Sequence, residues 1–227
     1  MKAFLLMGQS NMAGRGNIED VETIRDEKIK VFRMGSFIVD REPFGYDRRA
    51  AGIGLCGSFG LKFVEEYKEP VGFIPCAVGG TSLYDWRVGG DLFEYTYTIS
   101  KLAQKQCEII GILWHQGENN TGSHEEAENY EKDFMEIITE MKSRLGIENV
   151  PVILGELGQY LKEHPEKWFK CVDEVNQHIH NIAKQDGFYV VSAEGLTSNP
   201  DYIHFNAKSL RIFGERYFEV YKGTVAK

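Results

Sequence analysis

No CxxC pair occurs in the 227-residue chain, and its four cysteines, Cys56, Cys76, Cys107 and Cys171, have no zinc-like spacing. Free thiols are therefore expected, with Cys76 and Cys107 in or beside apolar runs. No stretch approaches the ~20 apolar residues of a membrane span. The run Ala3–Met7 after Lys2 is too short for the apolar part of a secretory signal, so a cytoplasmic location is expected. Basic residues are scattered, and 26 Lys and Arg against 34 Asp and Glu give a formal charge of −8, which argues against nucleic-acid or membrane partners. There is no repeat and no low-complexity tract. Gly14-x-Gly16 lacks a third glycine or a following Lys-Ser/Thr, so nucleotide binding has no support. His115, Glu118 and His124 can be imagined as metal ligands, but their spacing is not H-E-x-x-H, and neither metal nor cofactor is expected.

What is present is an alternation of apolar runs and helical patterns. Strands are expected at Lys2–Met7, Lys30–Arg33, Val71–Ala77, Ile109–His115, Val150–Glu156 and Gly187–Ala193. Most are continuously apolar, as strands buried on both faces of a parallel sheet are. Helical patterns lie at about 54–68, 91–106, 124–145, 165–185 and 206–222. In the third, Tyr130, Phe134, Ile137, Ile138 and Met141 recur at three- and four-residue steps, and Gly146 suits a C-terminal cap. This pattern predicts one α/β domain over residues 1–227, a three-layer α/β/α sandwich around a parallel sheet of about five strands. Segment 34–53 reads as a long surface loop and a candidate wall of a substrate cleft.

Four unusual clusters follow strands. They are Gly8-Gln9-Ser10-Asn11 after the first, Gly79-Gly80 after the third, Gln116-Gly117-Glu118-Asn119-Asn120 after the fourth, and Asp201-Tyr202-Ile203-His204 after the last. Ligands of open parallel sheets bind beyond the carboxyl ends of the strands, so all four belong on one rim. Together they offer the hydroxyl, imidazole and carboxylate of a serine hydrolase. Ser10 is the candidate nucleophile, though most serines after a strand are turn or cap residues. Met12 stands where the second glycine of G-x-S-x-G would be, which argues against an α/β-hydrolase elbow. His204 is the candidate base. Asp201 is the candidate acid, within an Asn199-Pro200-Asp201 stretch that is also good turn chemistry. Glu118 is a rival acid. Backbone N–H groups of Ser10 and Gly80 are candidates for an oxyanion hole. Gln9, Asn11, Trp86 and Tyr202 are candidate substrate contacts.

The blocks GQSNMAGRG, GGTSLYDW, WHQGENN and DYIHFN, in that order between residues 4 and 206, resemble those of the SGNH hydrolases. They are most similar to the branch of carbohydrate esterase family 6 acetyl xylan esterases and sialate O-acetylesterases. The resemblance implies a flavodoxin-like fold and a serine esterase that removes acetyl groups from a sugar or oligosaccharide through an acetyl-enzyme. The compact length is closer to the acetyl xylan esterases, with sialate O-acetylesterase as the alternative. Other readings are an SGNH lipase or thioesterase and a non-catalytic carbohydrate-binding relative. The resemblance also implies an Asp three residues before the His, matched by Asp201, while some members use the glutamate equivalent to Glu118. It assigns a side-chain amide to the oxyanion hole, carried here to Gln116, with Asn119 or Asn120 as the fallback.

Overall fold

The computed structural model describes residues 1–225. One sheet of seven strands runs in the order β3-β2-β4-β1-β5-β6-β7. The strands are β1 (Lys2–Gly8), β2 (Ile29–Arg33), β3 (Ser36–Val39), β4 (Val71–Pro75), β5 (Glu108–His115), β6 (Val152–Gly155) and β7 (Phe188–Val191). Every pairing is parallel except β2–β3. Central β1 registers Lys2 opposite Val71 on one side and Gly8 opposite His115 on the other. The helices are α1 (Ser10–Ala13), α2 (Cys56–Tyr67), α3 (Leu83–Trp86), α4 (Asp91–Ala103), α5 (His124–Ala127), α6 (Tyr130–Leu145), α7 (Val172–Ile182) and α8 (Ala207–Val225).

Continuous apolar strands demand cover on both faces, and helices supply it. Helices α2 and α8 pack together on one face. There Phe4 of β1 meets Phe59 and Tyr221, each ring at 4.7 Å and nearly edge-on. Helices α4, α6 and α7 form the other layer, where Trp114 of β5 lies 5.2 Å from Phe134 and 5.6 Å from Trp86. Edge-to-face aromatic pairs each contribute about 1 kcal/mol beyond their buried area.

The α/β architecture is as expected, but the sheet has seven strands rather than about five, because all six apolar runs join it and a seventh strand is added. The added strand, β3, falls in segment 34–53, whose sequence reads as loop. Met34 and Gly35 both have positive φ, 48° and 84°, and make the two-residue turn that a tight hairpin needs. An edge strand of four residues with alternating exposure leaves too short a pattern to read. The helical pattern at 124–145 is broken into α5 and α6 at Glu128–Asn129, and that at 165–185 shrinks to α7. All four cysteines are free. No helix among the described residues is long and apolar enough to cross a membrane.

Candidate active site

Strand β1 ends by running hard against β5. A Cβ on Gly8 would lie 2.1 Å from the His115 carbonyl oxygen, and Gly8 has φ +123°, so only glycine fits. Gln9 N–H then donates to His115 O at 2.8 Å, and Val78 N–H donates to Gly8 O at 3.0 Å. These bonds tie the ends of β1, β4 and β5 together and place Ser10 at the first turn of α1.

Between β7 and α8 the chain makes a tight loop. Asp201 Oδ1 accepts the N–H groups of Ile203 and His204 at 2.8 and 3.0 Å, and Tyr202 takes a left-handed φ of 55°. The other carboxylate oxygen, Oδ2, is 2.7 Å from His204 Nδ1. His204 Nε2 is 3.0 Å from Ser10 Oγ. A carboxylate bound at Nδ1 fixes the tautomer with the proton there and leaves Nε2 as the acceptor facing the hydroxyl. Burial pushes the Asp201 carboxyl up, but the His204 ring and the two backbone N–H donors outweigh it and hold its pKa down to about 2.

Ser10 opens onto a cleft of about 720 Å³. Its lining includes Arg15, Arg48, Ala50, Asn119, Trp168 and Phe169, with Gly79 and Gly80 beside Ser10. The Gly79-Gly80 loop is clamped from segment 34–53. Asp47 Oδ2 accepts Gly79 N–H at 2.8 Å, Arg48 Nη2 donates to Gly79 O at 2.5 Å, and Arg15 pairs with Asp47 at 2.6 Å. No partner among the described residues takes the backbone N–H of Ser10 or of Gly80.

The family model described as "Carbohydrate esterase, sialic acid-specific acetylesterase" matches residues 1–223. The chain belongs to this family. It is a carboxylic ester hydrolase. A protein of Arabidopsis thaliana described as a "Probable carbohydrate esterase" is 25% identical over 236 residues, covering 91% of this chain and 84% of the relative. A solved Arabidopsis thaliana structure superposes with a TM-score of 0.89 at 22% identity, covering 98% of each chain. The structure of NanS gives 0.80 at 14% identity, over 99% of this chain and 98% of that one. An acetyl xylan esterase from Geobacillus stearothermophilus gives 0.59 at 14%, over 96% and 94%. These likenesses below 25% identity speak to the fold.

Within this carbohydrate esterase, several expected site residues stand elsewhere. Gln116 is wholly buried, and its amide donates to Asn120 Oδ1 at 2.7 Å and to Thr81 O at 3.2 Å, so it is not free for an oxyanion. Asn120 also accepts Leu83 N–H at 3.1 Å, and it too is structural. Asn119 is the amide of this block that reaches the cleft. Trp86 is 0% exposed, its indole N–H on Thr81 Oγ1 at 3.0 Å, and it cannot touch a substrate. Tyr202 is partly exposed but lies outside the cleft lining. Asn11 is buried and used entirely within the protein, while Gln9 is among the residues lining the cleft.

Glu118 is 2% exposed and is not bonded to His204. It is among the residues lining the cleft, bound by Asn11 Nδ2 at 2.5 Å and 3.3 Å from His115 Nε2. Burial pushes its carboxyl up, and nearby His115 together with the Asn11 donor more than offsets this, leaving it below the usual range. His124 is at the surface with Glu174 at 2.7 Å, away from His115 and Glu118. Among the described residues, no group of three His, Cys, Asp or Glu side chains is arranged to hold a metal ion.

Sequence reasoning missed Arg15, Asp47, Arg48, Trp168 and Phe169. Arg15 stands within the GQSNMAGRG block, and Asp47 and Arg48 within segment 34–53, whereas nothing marks Trp168, which sits where the sequence pattern reads as helix.

Proposed function

We propose that this chain removes O-acetyl groups from carbohydrates by a Ser-His-Asp mechanism through an acetyl-enzyme. The observation that carries the reading is the unbroken line from Ser10 Oγ through the His204 ring to Asp201, at 3.0 and 2.7 Å. Ser10 Oγ attacks the acetyl carbonyl as His204 Nε2 takes its proton. Asp201 stabilises the imidazolium that forms. Negative charge developing on the carbonyl oxygen is met by the free N–H groups of Ser10 and Gly80 and by the Asn119 amide. His204 then gives its proton to the departing sugar hydroxyl. Water, activated by the same ring, releases acetate.

The open cleft and its exposed Trp168 support a sugar. The Trp168 ring is 52% exposed and backed by His164, stacked at 4.5 Å, so it offers a rigid face to a pyranose. The family description and the carbohydrate esterase among the relatives point the same way. Neutral acetylated xylan oligomers are one substrate class. O-acetylated sialic acid is the other, and Arg48 favours it, because this guanidinium faces the cleft with no carboxylate partner among the described residues.

Acetate release from acetylated xylo-oligomers, O-acetyl sialic acid and p-nitrophenyl acetate tests both levels. Ser10→Ala is expected to lower kcat on the order of 10³-fold or more on every substrate, with an unchanged melting temperature. Near-normal turnover by that variant removes Ser10 from the mechanism.

A further inference from the structure

Glu118 is a buried carboxylate in the lining of the cleft, and the mechanism above gives it no proton to move. Its contacts are specific. Oε1 accepts from Asn11 Nδ2 at 2.5 Å. The Gln9 carboxamide is satisfied when its nitrogen faces Glu118 Oε2 at 3.2 Å and Thr81 O at 3.1 Å; turned the other way, it would set oxygen against both oxygens. One carboxylate thus holds the residues on either side of Ser10. Both neighbours lead onward to catalytic groups. Asn11 Oδ1 accepts Phe205 N–H at 3.0 Å and its Nδ2 also lies 3.3 Å from Ile203 O, so it brackets His204 from both sides in the chain. The Gln9 oxygen then lies 3.1 Å from the position of Asn119 Oδ1, so the Asn119 carboxamide turns with it and donates one N–H to Gln9.

We infer that Glu118 is a positioning residue, which through Asn11 sets the distance of His204 from Ser10 and through Gln9 aims the Asn119 amide. The requirement is one of polarity. Gln9 and Asn11 both present N–H groups to Glu118, and a carboxylate is acceptor on both oxygens. A glutamine of the same shape would accept from one neighbour and set its own NH₂ against the other. Its effect on turnover arises because displacing a reacting group by about 1 Å costs on the order of 10²-fold.

The inference rests on the Ser-His-Asp reading, and a polarity swap tests it separately. Glu118→Gln and Asn11→Asp are each expected to lower kcat on p-nitrophenyl acetate by about 10- to 100-fold with KM little changed. In the double variant, the amide introduced by Glu118→Gln donates to the carboxylate introduced by Asn11→Asp and still accepts from Gln9. That new carboxylate still accepts Phe205 N–H, though it gives up the 3.3 Å contact with Ile203 O, so the rescue is partial. The double variant should regain at least about tenfold over the weaker single variant, a non-additivity that independent effects do not produce. The low-field proton resonance of the His204–Asp201 hydrogen bond should shift or broaden in each single variant and return in the double. Wild-type kcat in Glu118→Gln, or a double variant whose loss is the product of the singles, overturns the inference. If a single variant does not fold, the double decides: it must fold and turn over within about tenfold of wild type, and an inactive or unfolded double overturns it. A Ser10→Ala control separates the two levels, because activity there defeats the mechanism itself, whereas an inert Ser10→Ala with an unaffected Glu118→Gln defeats only the role of Glu118.

Discussion

Asn119 reaches the cleft and Gln116 does not, although they stand three residues apart in one block. Gly117, with φ +146°, turns the chain between them, sending Gln116 under the Thr81 loop and Asn119 to the rim. The block itself is visible in the sequence, but not the direction of each amide, which depends on that one backbone angle. The same holds for Trp86: an aromatic near a rim motif is visible, whereas its packing on Trp114 is a tertiary fact. Asp201 is a case where two sequence readings coexist, since one oxygen closes the turn and the other faces His204. The proposed oxyanion role of Asn119 gives a ranking. Asn119→Ala should lower kcat on the order of 10²-fold with little change in stability. Gln116→Ala should instead lower unfolding free energy by about 1–3 kcal/mol, because it orphans buried partners. Steady-state kinetics beside denaturant melts check this, and a larger kcat loss in a stable Gln116→Ala would return the role to Gln116.

At the scale of elements, the six strands expected from apolar runs are all present, because a parallel strand buried on both faces leaves a continuous signature. Their carboxyl ends carry the four clusters to one rim, as the sheet rule requires. Short elements left no such mark. Helix α3 is four residues closed by a Ser82–Asp85 capping box, and β3 pairs through a two-residue turn. The β1–α1 junction makes the strongest demand on sequence. Gly8→Ala forces a Cβ into the His115 carbonyl, and backbone on both sides must move. Destabilisation of about 2 kcal/mol or more is expected, with a fall in kcat as Ser10 shifts from His204. Chemical denaturation and kinetics on the purified variant measure both; wild-type values in each would show that the junction relaxes freely.

Folding of the whole molecule is linked to the proton on Asp201. Its folded pKa of about 2 lies below the unfolded aspartate value of about 3.9. A depressed carboxylate stabilises the folded state above the unfolded pKa, and that contribution is lost as pH falls through the folded one. Wild type should therefore be more stable than Asp201→Asn above about pH 4, with the gap closing toward pH 2. The gap should be modest, because the carboxylate is partly exposed and solvent screens it. Urea melts of both proteins across this range provide the check, and a gap that widens on acidification would contradict the linkage.

The acetyl-enzyme is the central claim, and it can be trapped. Wild-type enzyme mixed with excess acetylated substrate and quenched in acid within the first turnovers should carry one acetyl group, and peptide mass spectrometry should place it on Ser10. Slowing deacylation with low water content raises its amount. Acetylation of Ser10 in wild type, absent from Ser10→Ala, is the result expected. Acetate release with no acetylated peptide under conditions of fast acylation, or an acetyl group on a different residue, would contradict the account.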